Sequence, residues 1–213
     1  MTPGLRPRRC GFTLLELLVG LGAGSLVLAA ALWAVGAHLA LLRTQQLAQQ
    51  LDQELRNAAE LMARSLRRSG FWWNAGLDSA RPNPYAAWSV AAGPDAGSTS
   101  VLTAHAHPHR GEDDARTRDE EQGFRVRAGV LETQLGSGNW QALTDPRLLR
   151  ITRLDLAPRL EHACPAGLIV RSLDITLQAQ ALADASVRRQ WSSSVRLRND
   201  VASATACPPP AEP

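Results

Sequence analysis

Lysine is absent from this 213-residue chain, so all 23 basic residues are arginine. We attribute this absence to genome composition rather than to function. Three of the arginines lie in residues 1–11, which contain no acidic residue; the rest of the chain has 20 arginines against 20 acidic residues. The formal net charge of +3 therefore belongs to the first eleven residues, and it does not indicate nucleic-acid binding.

The common catalytic signatures are also missing. The chain has no nucleophile elbow, no P-loop, no HExxH zinc motif and no dinucleotide-binding fingerprint. An enzymatic function therefore has almost no support from the sequence, and no cofactor is expected.

Charged residues are absent from Leu17 to Leu42. This apolar run exceeds the about 20 residues that a helix needs to cross a bilayer. The arginines before it favour the cytoplasmic side, which predicts a single-pass inner-membrane protein with its later residues outside. A cleaved secretory signal is the alternative, with a small-residue site near Leu28–Ala31, although signal peptides have shorter apolar segments of about 7–15 residues.

Glu16 is the one carboxylate at the start of this apolar segment. A carboxylate costs roughly 2.5–3.5 kcal/mol near the centre of a bilayer and less toward its surface. A chain selected only for anchoring would not keep it, so a functional role is the default interpretation. The alternative is that Glu16 lies at the membrane surface and stays hydrated.

The hexapeptide GFTLLE, from Gly11 to Glu16, follows a short basic leader and precedes a long apolar helix. This pattern resembles the signal of type IV prepilins and of type II secretion pseudopilins. The resemblance implies that a prepilin peptidase removes residues 1–11 by cutting between Gly11 and Phe12, and then methylates the new amine of Phe12. It also implies that Glu16 pairs with another subunit during assembly.

Proline and glycine are both absent from residues 37–69. Apolar residues recur there in steps of three and four, which predicts an amphipathic helix with one face to bury. We therefore expect one helix from about Thr13 to Ser69, with a membrane or filament-core half at 12–42 and an amphipathic half at 43–69. Gly20 and Gly24 form a small-residue face for helix packing, unless they are simply glycines tolerated in a membrane helix.

Residues 70–98 contain half of the aromatic residues together with several prolines and glycines, which predicts an irregular connection over a small satellite core. The segment RRSGFW at its start resembles the helix end of PilW-class minor pilins. Strands are predicted after it, at Ser100–Ala106, Gly123–Ala128, Val130–Leu135, Leu149–Leu156, Leu168–Gln180 and Val187–Arg198. One long helix followed by strands indicates the α+β class: a pilin fold with a mostly antiparallel head at 99–207 and a tail at 208–213.

Cysteine is scarce, with three residues in the chain. Cys10 would leave with the leader, so that Cys164 and Cys207 remain in an oxidising compartment. A disulfide between them would close a loop of about 44 residues and stabilise the head by roughly 4 kcal/mol through loop-closure entropy. Two free thiols are the alternative.

His105, His107 and His109 alternate ahead of three consecutive acidic residues, which begin at Glu112. Histidine and carboxylate are suitable ligands for zinc or a similar ion. Pro108 interrupts the strand pattern, however, and the charged residues that follow favour a solvated loop. The three histidines are therefore weak metal candidates, and no metal is assigned.

The first hypothesis is a minor pilin, a structural subunit of type IV pilus assembly. A J-type minor pseudopilin of type II secretion, similar to GspJ, is the alternative. A membrane-anchored sensor or metal-binding enzyme is a distant third. The expected partners are prepilin peptidase, other minor and major pilins, and the inner membrane, with the head in the periplasm.

Overall fold

The computed structural model describes residues 13–74, 83–106, 116–136, 138–163, 168–199 and 201–202. Helix α1 (Leu14–Arg67) is followed, in the described part of the chain, by strands β1 (Ser89–Ala92), β2 (Thr99–Ala104), β3 (Glu121–Arg127), β4 (Val130–Leu135), β5 (Trp140–Ala142), β6 (Leu149–Ala163), β7 (Leu168–Ala181), β8 (Arg188–Arg196) and β9 (Val201–Ala202). In the described residues a 3-10 turn, Arg118–Glu120, directly precedes β3. The predicted α+β class, with one long N-terminal helix and antiparallel sheets, is confirmed.

The chain divides into two compact units, Met1–Gln46 and Leu47–Pro213. The first unit is described from Thr13 onward and is helical from Leu14. The helix begins where the side-chain oxygen of Thr13 accepts a hydrogen bond from the backbone N–H of Glu16, at 3.3 Å. Thr13 thereby caps one of the backbone donors that the first turn of a helix leaves without an intrahelical partner.

The described residues of the second unit form two antiparallel sheets. Sheet A has the order β1-β2-β3-β4-β5, and sheet B has the order β6-β7-β8 with β9 also paired to β7. Strands β3 and β4 form a hairpin whose two-residue turn, Ala128 and Gly129, has positive φ angles of 53° and 77°. Asp95 supports this turn, because its carboxylate accepts hydrogen bonds from both backbone N–H groups, at 2.9 and 2.8 Å.

The six predicted strands are all present; β4 has the predicted ends, and the other five have shifted ends. Strand β6 continues past the predicted Leu156 to Ala163 and includes Pro158. Proline is compatible with this position because β6 lies at the edge of sheet B. On the outer side of an edge strand no neighbouring strand needs the backbone N–H group that proline lacks. Residues 70–98 are not wholly irregular as predicted, because β1 pairs there with β2. Strand β5 was also not predicted.

The core of the second unit lies between the amphipathic half of α1 and the two sheets. The buried helix residues include Leu51, Leu55, Met62 and Leu66, and every second residue of β7 from Arg171 to Ala181 is buried. This alternation is typical of a strand that packs one face against the core. A satellite core also exists, in which Trp72 and Tyr85 pack with Ala104 and Ala106.

Candidate functional site

The apolar half of α1 is the largest exposed apolar surface in the described residues. Its large side chains keep between 50% and 79% of their surface exposed from Leu14 to Leu41. Folded proteins rarely leave such a surface in water, and larger patches mark membrane or protein contacts. Among the described helices, α1 is long and apolar enough to cross a membrane. This surface therefore needs lipid or other subunits around it.

Glu16 lies in the first turn of this surface and is exposed. A carboxylate near a helix N-terminus is favoured by the positive end of the helix dipole. Within residues 13–46, the one arginine is Arg43, which is 27 positions further on and therefore about 40 Å along the helix. The described part of the first unit consequently supplies no nearby cation for Glu16.

Gly20 and Gly24 are four residues apart and therefore share a helix face. A Cβ atom added at either position would meet nothing within 4 Å, and the same is true of Gly22 and Gly36. The packing of the described residues therefore does not require glycine at these positions.

Several predicted site residues lie outside the described residues: Gly11, Phe12, Cys164, Cys207, His107 and His109. Cleavage at Gly11, methylation of Phe12 and the disulfide therefore stay predictions. His105 is described and is buried just after β2, where its backbone N–H donates to the carbonyl oxygen of Glu120 at 3.3 Å. It is not part of a solvated loop. The described residues contain no group of three or more potential metal ligands.

A buried polar cluster around Arg171 joins the end of α1 to the rest of the head. Arg171 donates hydrogen bonds to the carbonyl oxygens of Ala86 and Asn199, both at 2.5 Å. The side-chain amide of Asn199 in turn donates to the carbonyl oxygen of Ser69, at 2.8 Å. Arg171 was not among the site residues singled out from the sequence. Its position in the alternating pattern of β7 was the available signal, because a charged residue on the buried face of a strand needs hydrogen-bonding partners.

Glu120 is a second buried charged residue. The hydroxyl group of Tyr85 donates to its carboxylate at 3.0 to 3.1 Å, and the backbone N–H of Thr117 donates at 2.8 Å. These contacts hold the turn before β3 against the satellite core. The arrangement satisfies the carboxylate and is structural, since hydrogen-bonded buried polar groups stabilise one local conformation.

Two family models match the chain. The model described as "Prepilin peptidase-dependent protein B" matches residues 44–197, and the model described as "Prokaryotic N-terminal methylation motif" matches residues 6–32. The first covers most of the head together with the amphipathic half of α1. The second covers the basic residues, the GFTLLE segment and the start of the apolar helix.

Among solved structures, the chain is similar to a type IV-like pilin from Thermus thermophilus. The TM-score is 0.46 at 13% sequence identity, over 70% of this chain and 97% of that chain. No curated protein matches the chain significantly in sequence. The family assignment consequently rests on the two family models.

Proposed function

The chain belongs to the prepilin peptidase-dependent protein B family and is a minor pilin or pseudopilin, and from this premise we propose that it is a PilW-like minor pilin of type IV pilus assembly. The observation that carries the proposal is the exposed apolar half of α1 with a single carboxylate in its first turn. A purely membrane-anchored enzyme would need the apolar segment but not Glu16. The proposed role is structural rather than catalytic.

Processing is the first step of the proposal. Prepilin peptidase cuts between Gly11 and Phe12 and methylates Phe12. The match of the methylation motif to residues 6–32, which include this bond, supports the assignment. Arg6, Arg8 and Arg9 keep the leader cytoplasmic, so the head lies in the periplasm until the subunit leaves the inner membrane.

Glu16 acts in the second step. After cleavage, the amine of Phe12 is a cation four residues before Glu16, and both groups are costly to hold in a poor solvent. The amine of a neighbouring subunit can pair with Glu16 as the incoming helix leaves the lipid, which sets the register between the helices. Pairing with the amine of the same chain is the alternative, since one helical turn separates the two positions.

The test replaces the carboxylate by leucine. Glu16→Leu removes a charge from the apolar segment, so we expect normal cleavage and normal membrane insertion, with co-purification of other pilins lost. Glu54→Leu is the matched control, because it removes a carboxylate from the amphipathic half of the same helix. Partner recovery and piliation should stay normal in the control strain.

Unchanged partner recovery and unchanged piliation in the Glu16→Leu strain would rule out the intermolecular role. Deletion of the gene, scored together for surface pili, twitching and protein secretion, separates a pilus subunit from a pseudopilin. Loss of secretion with normal pili would assign the chain to type II secretion instead.

A further inference from the structure

The second unit has a groove at the carboxyl end of α1, with a volume of about 590 Å³. We call it the arginine groove, because Arg64, Arg67, Arg68 and Arg198 are part of its lining. All four side chains are exposed. The groove is within the size range of about 300–1,000 Å³ that is typical of ligand-binding clefts.

The four arginines come from two distant parts of the sequence. Arg64 and Arg67 belong to the last turn of α1 and Arg68 directly follows it, where positive charge is favoured by the negative end of the helix dipole. This explanation does not cover Arg198, which follows β8. The backbone N–H of Arg198 donates to the carbonyl oxygen of Arg67 at 3.4 Å, so the tertiary structure brings the fourth arginine to the same place.

The positive charge of the groove is not balanced within the described residues. None of the four guanidinium groups has a carboxylate within the 4.0 Å of an ion pair there, whereas other arginines do, such as Arg125 with Glu132 at 2.7 Å. Glu60 lies one turn before Arg64 and makes no ion pair with it. A ligand with carboxylates would therefore find four available partners.

The rest of the lining is largely apolar. Phe124 is buried, while Leu61 and Leu135 keep 44% and 51% of their surface exposed. A second cavity of about 380 Å³ shares three of the arginines and continues the surface toward Phe71. An occupant of the arginine groove would thus contact both basic and apolar groups.

We propose that the arginine groove binds an acidic segment of another pilin subunit, in which two or more carboxylates flank an apolar side chain. Guanidinium groups pair with carboxylates through two parallel hydrogen bonds, which gives both strength and orientation. The apolar lining and concave shape favour a polypeptide over the anionic surface of a bilayer. The proposal rests on the proposed pilin function, because that function supplies the neighbouring subunit.

The test uses the full-length processed protein in pilus-forming cells. A photo-reactive p-benzoylphenylalanine replaces Leu61 or, as a second position, Leu135, and mass spectrometry identifies the cross-linked peptide. We expect a peptide of a different pilin that contains at least two acidic residues. Arg68→Glu combined with Arg198→Glu should reduce this cross-link roughly tenfold or more, as expected for the loss of charge-assisted hydrogen bonds.

The matched control is Arg56→Glu combined with Arg127→Glu, which makes the same charge change at exposed positions outside the groove. It should leave the cross-link unchanged, and both double variants should unfold at the wild-type temperature. A charge exchange gives a further check. When the acidic residues of the partner are replaced by arginine, the cross-link to the Arg68→Glu, Arg198→Glu variant should return.

Four results would overturn the proposal: a cross-link to lipid, to a second copy of this chain, to residues 107–115 of the same chain, or none above background. Equal loss in both double variants would also count against it. Failure of the proposed function is distinguishable, because it would appear as a chain that is not processed at Phe12 or as piliation that survives gene deletion.

Discussion

The two halves of helix α1 share one secondary structure but bury their apolar residues in different ways. From Leu14 to Leu41 the large apolar side chains stay at least half exposed, whereas Leu51, Leu55, Met62 and Leu66 are almost completely buried. The amphipathic half has a polar face and packs on the sheets of its own chain. In the part of the chain that the structure describes, the large side chains of the apolar half remain exposed. One half therefore stabilises the head, and the other is available for lipid and other subunits.

The largest effect is expected at the leader. Gly11→Glu places a charged side chain at the proposed cleavage site, so the precursor should accumulate uncut while the head still folds. The intact mass of the membrane-extracted protein measures this directly. A mature chain that starts anywhere other than Phe12 in the wild type would contradict the assignment of this bond.

The two halves should respond differently to the same truncation. Leu66→Ala should lower the free energy of unfolding of the head by about 2–5 kcal/mol, because it removes methyl groups from a packed core. Leu28→Ala should leave that free energy unchanged, since Leu28 is 61% exposed. Chemical denaturation of the detergent-solubilised full chain compares the two. Equal destabilisation would show that the halves are not energetically separate.

The disulfide is the next prediction, and it concerns the head alone. Non-reducing mass analysis should show Cys164 linked to Cys207. Cys207→Ser should lower the stability of the head by up to about 4 kcal/mol, because the unfolded chain is then less constrained. Two thiols that react with an alkylating reagent in periplasmic material would refute the bridge.

The smallest effect is expected from the glycines of the apolar half. Gly24→Ala should raise local helix stability by about 1 kcal/mol and should leave the head unchanged, since the added Cβ meets no other side chain of the described residues within 4 Å. Partner recovery should nevertheless decrease if a neighbouring helix packs closely on the face of Gly20 and Gly24. Gly22→Ala, two positions away on the helix, is the control, and equal recovery in both variants would exclude a special role for that face.

Local periodicity explains which features were predictable. Apolar residues alternate along β7 and recur every three or four residues along α1. Both patterns are repeated many times, so a few residues that depart from them did not prevent the prediction of the two elements. Strand β1 was missed because Ser89–Ala92 is short and contains one β-branched residue. Its extended conformation depends on pairing with β2, which is a tertiary contact that overrides weak local propensity.

The sequence by itself almost entirely determined the interpretation of the N-terminal region. The basic leader, the GFTLLE segment and the apolar helix are contiguous, so the prepilin-type pattern can be recognised from residue types and their spacing alone. The tertiary structure alone decided that His105 is buried, that Arg171 joins three segments of the head, and that Arg198 lies beside the arginines at the end of α1. These features depend on residues far apart in the chain. Their proximity follows from the packing of α1 and the two sheets around a common core, which no local pattern encodes.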